Sequence, residues 1–327
     1  MINFNNKKVL IIRFSSLGDV LLTTPILRAL KKSYPTVTIH YLIKNEVKEA
    51  ILFNPYIDKI IVFNKTDKLT DLRSSIRLEK YDYIIDLHDN LRSMYITKGL
   101  NVFRIKKPTL KKYLLVKFKI NLLKQNKSVV EMYAAAIPEF KLDNLGLELF
   151  LNKGENVPCV ENKTIGICPG AKHYTKRWEY NSYKELILLL TNSGYKVLLF
   201  GGTYDMEMCK HLADNNKNVE NISTDNDLIA MGKNMLRCKL IVGNDSGLMH
   251  TASALKVPVI VIFTATVKEF GFAPYKAKSI IIENNKITCR PCSHIGKSVC
   301  PKRHFNCSKT ITPLLVFNKL QKFYDGL

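Results

Sequence analysis

Short, continuously apolar runs recur along the chain, each the length of a buried strand. They fall at Val9–Ile12, Val37–Ile43, Ile60–Phe63, Tyr83–Leu87, Thr164–Cys168, Val197–Phe200, Leu240–Val242, Val259–Phe263 and Ser279–Ile282. Between most of them the apolar residues switch to helical spacing. In the first such stretch Val20, Leu21, Leu27 and Leu30 fit one face of a helix, Lys31 and Lys32 favour its C-terminal end, and Pro35 stops it. Strands that are apolar throughout, alternating with helices, predict an α/β chain whose parallel sheets are covered on both faces.

The alternation is interrupted once. Leu145–Leu151 is followed by NKGENVPCVENK, a polar stretch with Gly154 and Pro158 that reads as a linker, and a second strand–helix series opens at Thr164. The predicted organisation is a first domain over 1–151, a second over 164–311 and a terminal helix over 312–327. Thr312 is a plausible cap for that helix, with Pro313 at its first position and Leu315, Phe317 and Leu320 on its apolar face. A chain of 327 residues has room for two such domains. If they face each other, a cleft opens outside the carboxyl ends of the strands, where ligands bind in such folds.

Several strand-to-helix turns carry polar residues suited to that cleft. Leu240–Val242 runs into Gly243, Asn244, Asp245, Ser246 and Gly247 before a helical pattern begins. A helix start presents free N–H groups and a positive dipole end, a site for a diphosphate. Asp245 and Ser246 could equally be ordinary helix caps. His250, one turn further on, either touches phosphate or packs beneath the turn. After Val9–Ile12 the turn is SSLGD, with Ser16, Gly18 and Asp19. It is neither GxGxxG nor GxxxxGK[ST], which argues against a nicotinamide or flavin site and against an NTPase phosphate loop. Asp19 suits a general base for a hydroxyl in the cleft, or the first turn of its own helix. In ICPGAKHYTKRW, Gly170, Lys172, Lys176 and Arg177 follow a strand end, where cations can neutralise a departing diphosphate. In FGGTYD, Gly201 and Gly202 permit close backbone approach and Asp205 can take a ribose hydroxyl.

Charge adds a second theme. The formal net charge is +22, and residues 90–130 hold eleven Lys or Arg and no Asp or Glu. There Leu114, Leu115, Val116, Phe118, Ile120, Leu122 and Leu123 interleave with Lys111, Lys112, Lys117, Lys119 and Lys124. Such a stretch suits an anionic membrane face, at ~1 kcal/mol per basic residue. It also suits nucleic acid, or is simply the solvated face of a lysine-rich chain. No apolar run approaches the ~20 residues of a membrane span, and no secretory leader is evident in the first thirty residues, so a cytoplasmic protein with reduced cysteines is expected. Cys289, Cys292, Cys300 and Cys307 are spaced C-x2-C-x7-C-x6-C. They could hold structural zinc, remain reduced thiols or form a redox-sensitive disulfide.

Together IIRFSSLGDVLLTTP, PGAKHYTKRW, FGGTYD and GNDSGLMHTASALKVPVIVIF resemble the family nine glycosyltransferases, the ADP-heptose:lipopolysaccharide heptosyltransferases, over nearly the whole chain. The late cysteine cluster is similar to one that several members carry. The resemblance implies a GT-B fold, two Rossmann-like domains facing across a cleft with the C-terminal helix packing back on the first. It implies inverting, metal-independent transfer without a cofactor. Asp19 takes the place of the proposed base and Lys176 that of the lysine on the donor phosphate. Asp245, Ser246, Gly247 and His250 match the turn that holds the diphosphate, and Asp205 is the nearest match to a donor-binding acid. Ser16, Gly18, Gly170, Arg177 and Gly202 complete the expected donor site. Two loops depart from the family pattern. Phe263-Thr264-Ala265-Thr266 stands where many members read FG-x-T, and Ala171-Lys172-His173-Tyr174-Thr175 replaces a loop that carries threonines in some.

The resemblance makes the expected partners an ADP-sugar and an anionic lipid-linked glycan at the cytoplasmic face of the inner membrane. The basic stretch, with Lys106, Lys107, Lys111, Lys112, Lys117 and Lys119, is expected to meet that acceptor, and the chain is expected to be a monomer that binds no nucleic acid and uses no metal in transfer. Rival readings keep the fold with another nucleotide-sugar or glycan, or make the chain a non-catalytic nucleic-acid or membrane binder or an inactive sugar-nucleotide scaffold. No helix-turn-helix, finger spacing or aromatic-rich RNA-binding strand supports the nucleic-acid reading. The presence of Asp19 and Lys176 counts against the inactive scaffold.

Overall fold

The computed structural model describes residues 2–327 except 124–126, 155, 156, 158, 215 and 226. Lys124 of the basic stretch, and Glu155, Asn156 and Pro158 of the expected linker, lie outside the described residues.

Eleven strands are present among the described residues: β1 (Lys8–Ile12), β2 (Thr38–Lys44), β3 (Lys59–Phe63), β4 (Tyr83–Asp86), β5 (Val102–Arg104), β6 (Thr164–Cys168), β7 (Lys196–Leu199), β8 (Val219–Asn221), β9 (Leu240–Asn244), β10 (Val259–Phe263) and β11 (Ser279–Glu283). The helices are α1 (Leu17–Leu21), α2 (Thr24–Ser33), α3 (Leu69–Leu78), α4 (Leu91–Ile96), α5 (Thr109–Phe118), α6 (Val129–Ala134), α7 (Tyr180–Asn192), α8 (Met206–Ala213), α9 (Leu228–Met235), α10 (Gly247–Ala254), α11 (Asn306–Lys309) and α12 (Pro313–Asp325). Every apolar run read from the sequence is a strand, shifted by at most two residues. The strands that pattern did not reveal, β5 and β8, are three-residue edge strands, too short to show a period.

Both sheets are wholly parallel. The first has the order β3-β2-β1-β4-β5 and the second β11-β10-β9-β6-β7-β8. In each, chain progression reverses once, between β1 and β4 and between β6 and β9. At such a switch the two loops leaving the carboxyl ends diverge to opposite faces and leave a crevice for ligand. The helices bury apolar side chains on strands that are themselves buried. Leu10, Ile12, Leu42 and Ile84 meet Leu72, Ile76 and Ile96 in the first sheet's core. In the second, Ile165, Ile167, Val242 and Ile260 meet Trp178, Leu186 and Leu190.

The chain divides into two compact units, Met1–Lys107 with Lys127–Glu155, and Pro108–Asn126 with Asn156–Leu327. This departs from the expected 1–151 first domain by one segment. Residues 108–126 group with the second unit because Leu115 and Leu123 pack against its Val267 and Phe270. A second correction concerns α12. Its Val316, Phe317 and Leu320 join the second unit's core beside Tyr183, Leu186 and Leu190 of α7. Burial of each is worth about 1.5–3 kcal/mol. The expected packing of this helix on the first domain is thus replaced by packing within the second. Third, the single helix expected after β1 is two, α1 and α2. Pro25 lacks the N–H a continuing helix needs and is accommodated in the first turn of α2.

Candidate functional site

At the switch point of the first sheet, β1 hands the chain through Arg13 and Phe14 to Ser16, the residue preceding α1. Asp19 lies in that helix's first turn, and its two oxygens have different partners. Oδ2 accepts the Ser16 hydroxyl at 2.6 Å and the Ser16 N–H at 3.2 Å. Oδ1 lies 2.7 Å from Nη2 of Arg13. Asp19 therefore supports the first turn of its own helix and is at the same time a fixed, ion-paired carboxylate. Its side chain remains 19% exposed. Burial opposes its charge, yet Arg13 and the Ser16 hydrogen bonds outweigh that and hold the carboxyl below its usual value.

Arg13 is itself tied down. Nη1 donates to the Leu87 carbonyl at 2.6 Å, and the guanidinium lies 5.6 Å from the ring centre of buried Tyr133 on α6. From the end of β4, Asp86 accepts the His88 and Asp89 N–H groups and Arg104 Nε. His88 stacks edge-on against Phe14 at 5.0 Å. Its burial, together with the charges of Arg13 and Lys107, pushes its pKa down to about 4, so the ring is neutral at neutral pH. Gly18 is buried beneath Asp19 in the same turn. Pattern reading missed Arg13, His88 and Tyr133. Two of them sit just beyond the strand ends flanking the switch point, the signal that could have found them.

The second sheet's switch point collects the other expected residues. Asn244, the last residue of β9, is buried and bridges the loop after β6. Its Oδ1 accepts the Trp178 N–H at 2.9 Å and the Tyr183 hydroxyl at 3.0 Å, while Nδ2 donates to the carbonyls of Pro169 and Gly170. Gly243 beside it admits no side chain, since an added Cβ would lie 2.9 Å from that of Cys168 on the neighbouring strand. Trp178, the chain's one tryptophan, is buried and donates Nε1–H to the Ile311 carbonyl. The loop that carries Lys176 is thereby pinned from two sides.

Lys176 points its ammonium at Asp245, 2.7 Å from Oδ2, and the same oxygen accepts the Thr266 hydroxyl at 2.9 Å. The pair is mostly buried, Lys176 being 18% and Asp245 6% exposed. Thr264, at the position where the resemblance led one to expect glycine, donates its hydroxyl to the Thr175 carbonyl at 2.7 Å. The departures in those two loops thus meet each other. Arg290 holds the 263–266 loop from behind, donating Nη2–H to the Phe263 and Thr266 carbonyls and pairing with Glu283 at 3.0 Å. Asp205 packs so tightly on Gly170 that a Cβ there would stand 2.1 Å from its Oδ2. Burial raises the Asp205 pKa, partly offset by Arg177, whose Nη2 is 3.6 Å away, and by a hydrogen bond from the Gly202 backbone. Ser246 occupies the N-cap position of α10 without making a side-chain capping bond, and Gly247 begins the helix. His250 is buried, its ring 6.4 Å from that of Phe272. Among the expected site residues, Gly170, Lys176, Arg177, Gly202, Asp205, Asp245, Ser246, Gly247 and His250 thus share the second unit, and Ser16, Gly18 and Asp19 share the first.

The six lysines proposed for acceptor or membrane contact separate. Lys106, Lys111 and Lys117 are exposed. Lys107 donates to the carbonyls of His88 and Asp89. Lys112 stands over the rings of Phe270 and Phe272. Lys119 donates to the carbonyls of Val116, Cys289 and Pro291. Cys289, Cys292, Cys300 and Cys307 are free thiols. Among the described residues no group of three or more His, Cys, Asp or Glu is gathered as a metal site. Nor, among them, is any helix long and apolar enough to cross a membrane.

Two parallel, doubly wound sheets, each with polar loops at its switch point, define the class of protein: the fold is that of the GT-B glycosyltransferases. The chain is similar over 94% of its length to lipooligosaccharide heptosyltransferase 2 of Campylobacter jejuni, at 26% identity and covering 96% of that protein. Its similarity to lipooligosaccharide heptosyltransferase 2 of Haemophilus influenzae is 28% identity over 84% of this chain and 88% of the other. In structure it resembles ADP-heptose lps heptosyltransferase II of Escherichia coli, with TM-score 0.70 and 24% identity, covering 97% of this chain and 98% of that one. Residues 69–302 match the model of glycosyltransferase family 9 (heptosyltransferase), and the chain belongs to that family.

Proposed function

We propose that this chain is an inverting heptosyltransferase that moves a heptose from ADP-heptose to the inner core of lipopolysaccharide, acting as a monomer at the cytoplasmic face of the inner membrane. Family membership and the named substrates of its relatives support the reaction class. The observation that carries the assignment of roles is the ammonium of Lys176, held at the second sheet's switch point by Asp245, whose Oδ2 also accepts the Thr266 hydroxyl. A fixed cation there is preorganised for charge that develops on a leaving diphosphate.

In the proposed reaction the acceptor hydroxyl gives its proton to Asp19 as its oxygen bonds to the anomeric carbon. The bond from that carbon to the diphosphate breaks, and ADP leaves with the electron pair. Lys176, Arg177 and the N–H groups opening α10 at Gly247 take up the negative charge, so no cofactor is required. Ser246, with its hydroxyl uncommitted to capping, and His250 line the same turn, and Gly170 and Gly202 allow the donor to approach backbone. Asp205 is assigned to the donor's sugar hydroxyls and Ser16 and Gly18 to shaping the Asp19 turn. Asp245 acts by positioning Lys176, since a carboxylate would repel phosphate. A base held at low pKa is weak, which fits proton transfer that occurs only as the new bond acidifies the attacking hydroxyl.

The test is Asp19→Asn assayed for transfer to a truncated lipopolysaccharide acceptor, with a mass-spectrometric screen of ADP- and UDP-sugars for the wild type. Asp19→Asn should lower turnover by ~10²–10⁴ and leave ADP binding in place. Turnover within tenfold of wild type would remove Asp19 as base, and selective use of a UDP-sugar would remove ADP-heptose as donor.

A further inference from the structure

Helix α5 is apolar on two sides. Its inner side seats Leu115, with Val116 beside it, on Val267, Phe270 and Phe272 of the second unit. Lys119 ends the helix in the left-handed conformation and sends its ammonium back to three carbonyls, those of Val116, Cys289 and Pro291. The helix is thus fastened, and its outer side is a fixed surface. At about 100° per residue, Leu110, Tyr113, Leu114, Lys117 and Phe118 fall within an arc of about 140° that lies opposite Leu115 and Lys112. Leu110 is 70%, Tyr113 54% and Phe118 57% exposed, and Ile120 and Leu122 just beyond are 49% and 54% exposed. A soluble protein does not ordinarily gather five large apolar side chains on one exposed stretch of thirteen residues without a partner.

Charge indicates which partner. Lys111 and Lys117 are exposed among these side chains, and no acidic residue lies between 90 and 130 to balance them. Apolar side chains flanked by lysines match the interface of an anionic bilayer, where the one kind enters the acyl boundary and the other meets headgroups. Leu110, Ile120 and Leu122 have no ring on which a base could stack, which disfavours RNA. A second copy would bring like charges together on the same face. We infer that the outer face of α5, continued by Ile120 and Leu122, is a docking surface for anionic phospholipid bilayers. Its purpose rests on the reading of a lipid-linked acceptor given above, but the contact itself needs no substrate.

The experiment is co-sedimentation of the full chain with vesicles of phosphatidylcholine, with and without phosphatidylglycerol, at low and high salt. The wild type should bind only the phosphatidylglycerol vesicles and release as salt rises. The triple substitution Leu110→Ser, Tyr113→Ser and Phe118→Ser should weaken that partition at least ~10-fold. Because these side chains are exposed, its thermal melt and its transfer to an acyl-free acceptor should be unchanged. Equal binding by the variant, binding that ignores phosphatidylglycerol, or a stable dimer that the triple substitution dissolves would each overturn the docking surface. Loss of transfer to the acyl-free acceptor in the variant would overturn it as well, by assigning the face to the reaction. Vesicle binding of the predicted kind by a wild type that transfers no heptose would leave the surface standing and remove only the proposed function.

Discussion

Breaking the Lys176–Asp245 pair from its two ends should have unequal consequences. At 2.7 Å the two charges attract by about 6 kcal/mol at an effective dielectric of about 20. Removing both from water costs several kcal/mol per ion, so the intact pair adds little net stability. Lys176→Met leaves Asp245, only 6% exposed, without its cation and with the Thr266 hydroxyl still donating to it. An orphaned buried charge of this kind costs about 3–5 kcal/mol. Asp245→Asn is milder, because Lys176 is 18% exposed and can turn its ammonium to water, so a loss of about 1 kcal/mol is expected. The double variant should therefore be more stable than Lys176→Met alone, with a coupling energy of about 2–3 kcal/mol. Urea denaturation of the four proteins measures this directly. Calorimetric titration with ADP reads the functional half. Lys176→Met should weaken ADP by about 10- to 100-fold, the worth of a charge-assisted contact, and Asp245→Asn by only a few-fold. If the two stability losses simply add to within ~0.5 kcal/mol, or if ADP affinity is untouched by Lys176→Met, the reasoning about this site is wrong.

His88 gives a pH signature. Its folded pKa of about 4 lies below the ordinary ~6.5, so the unfolded chain binds the extra proton first as pH falls. Stability should decline between about pH 6.5 and 4, by up to about 3 kcal/mol, and His88→Gln should flatten that part of a melting-temperature profile. Asp19 works in the same direction at lower pH: its depressed pKa means that the Arg13 pair stabilises the fold above the ordinary carboxylate range and is lost as pH drops through the folded value. Arg290→Met should destabilise toward the low end of ~3–5 kcal/mol, because Glu283 keeps Lys268 at 3.4 Å, and adding Glu283→Gln should recover part of the loss. An Arg290→Met melt indistinguishable from wild type would show that the 263–266 loop is held by other contacts.

Much of the fold was legible because buried parallel strands leave an unambiguous trace. A run such as Val259–Phe263 has no polar position to spare, and its turns must carry the polar residues. The same logic drew attention to Asp19, Lys176 and Asp245, which lie in the strand-to-helix connections after β1, β6 and β9. What pairs with what was not legible. Arg13 and Tyr133 are 120 residues apart by number and share a guanidinium contact only because α6 returns to β1. Thr266 meets Asp245 only because β9 and β10 lie side by side.

Local pattern by itself determined where the strands lie apart from the short edge strands β5 and β8, where the loops must be polar, and how basic the chain is. Tertiary structure alone decided that residues 108–126 pack with the second unit, that α12 stays within it, and that Asp245 spends its charge on Lys176. The reason is the range of the forces involved. Backbone periodicity reports a residue's nearest neighbours in sequence, whereas ion pairing and apolar packing depend on neighbours in space, and those are set by which strands lie side by side in each sheet.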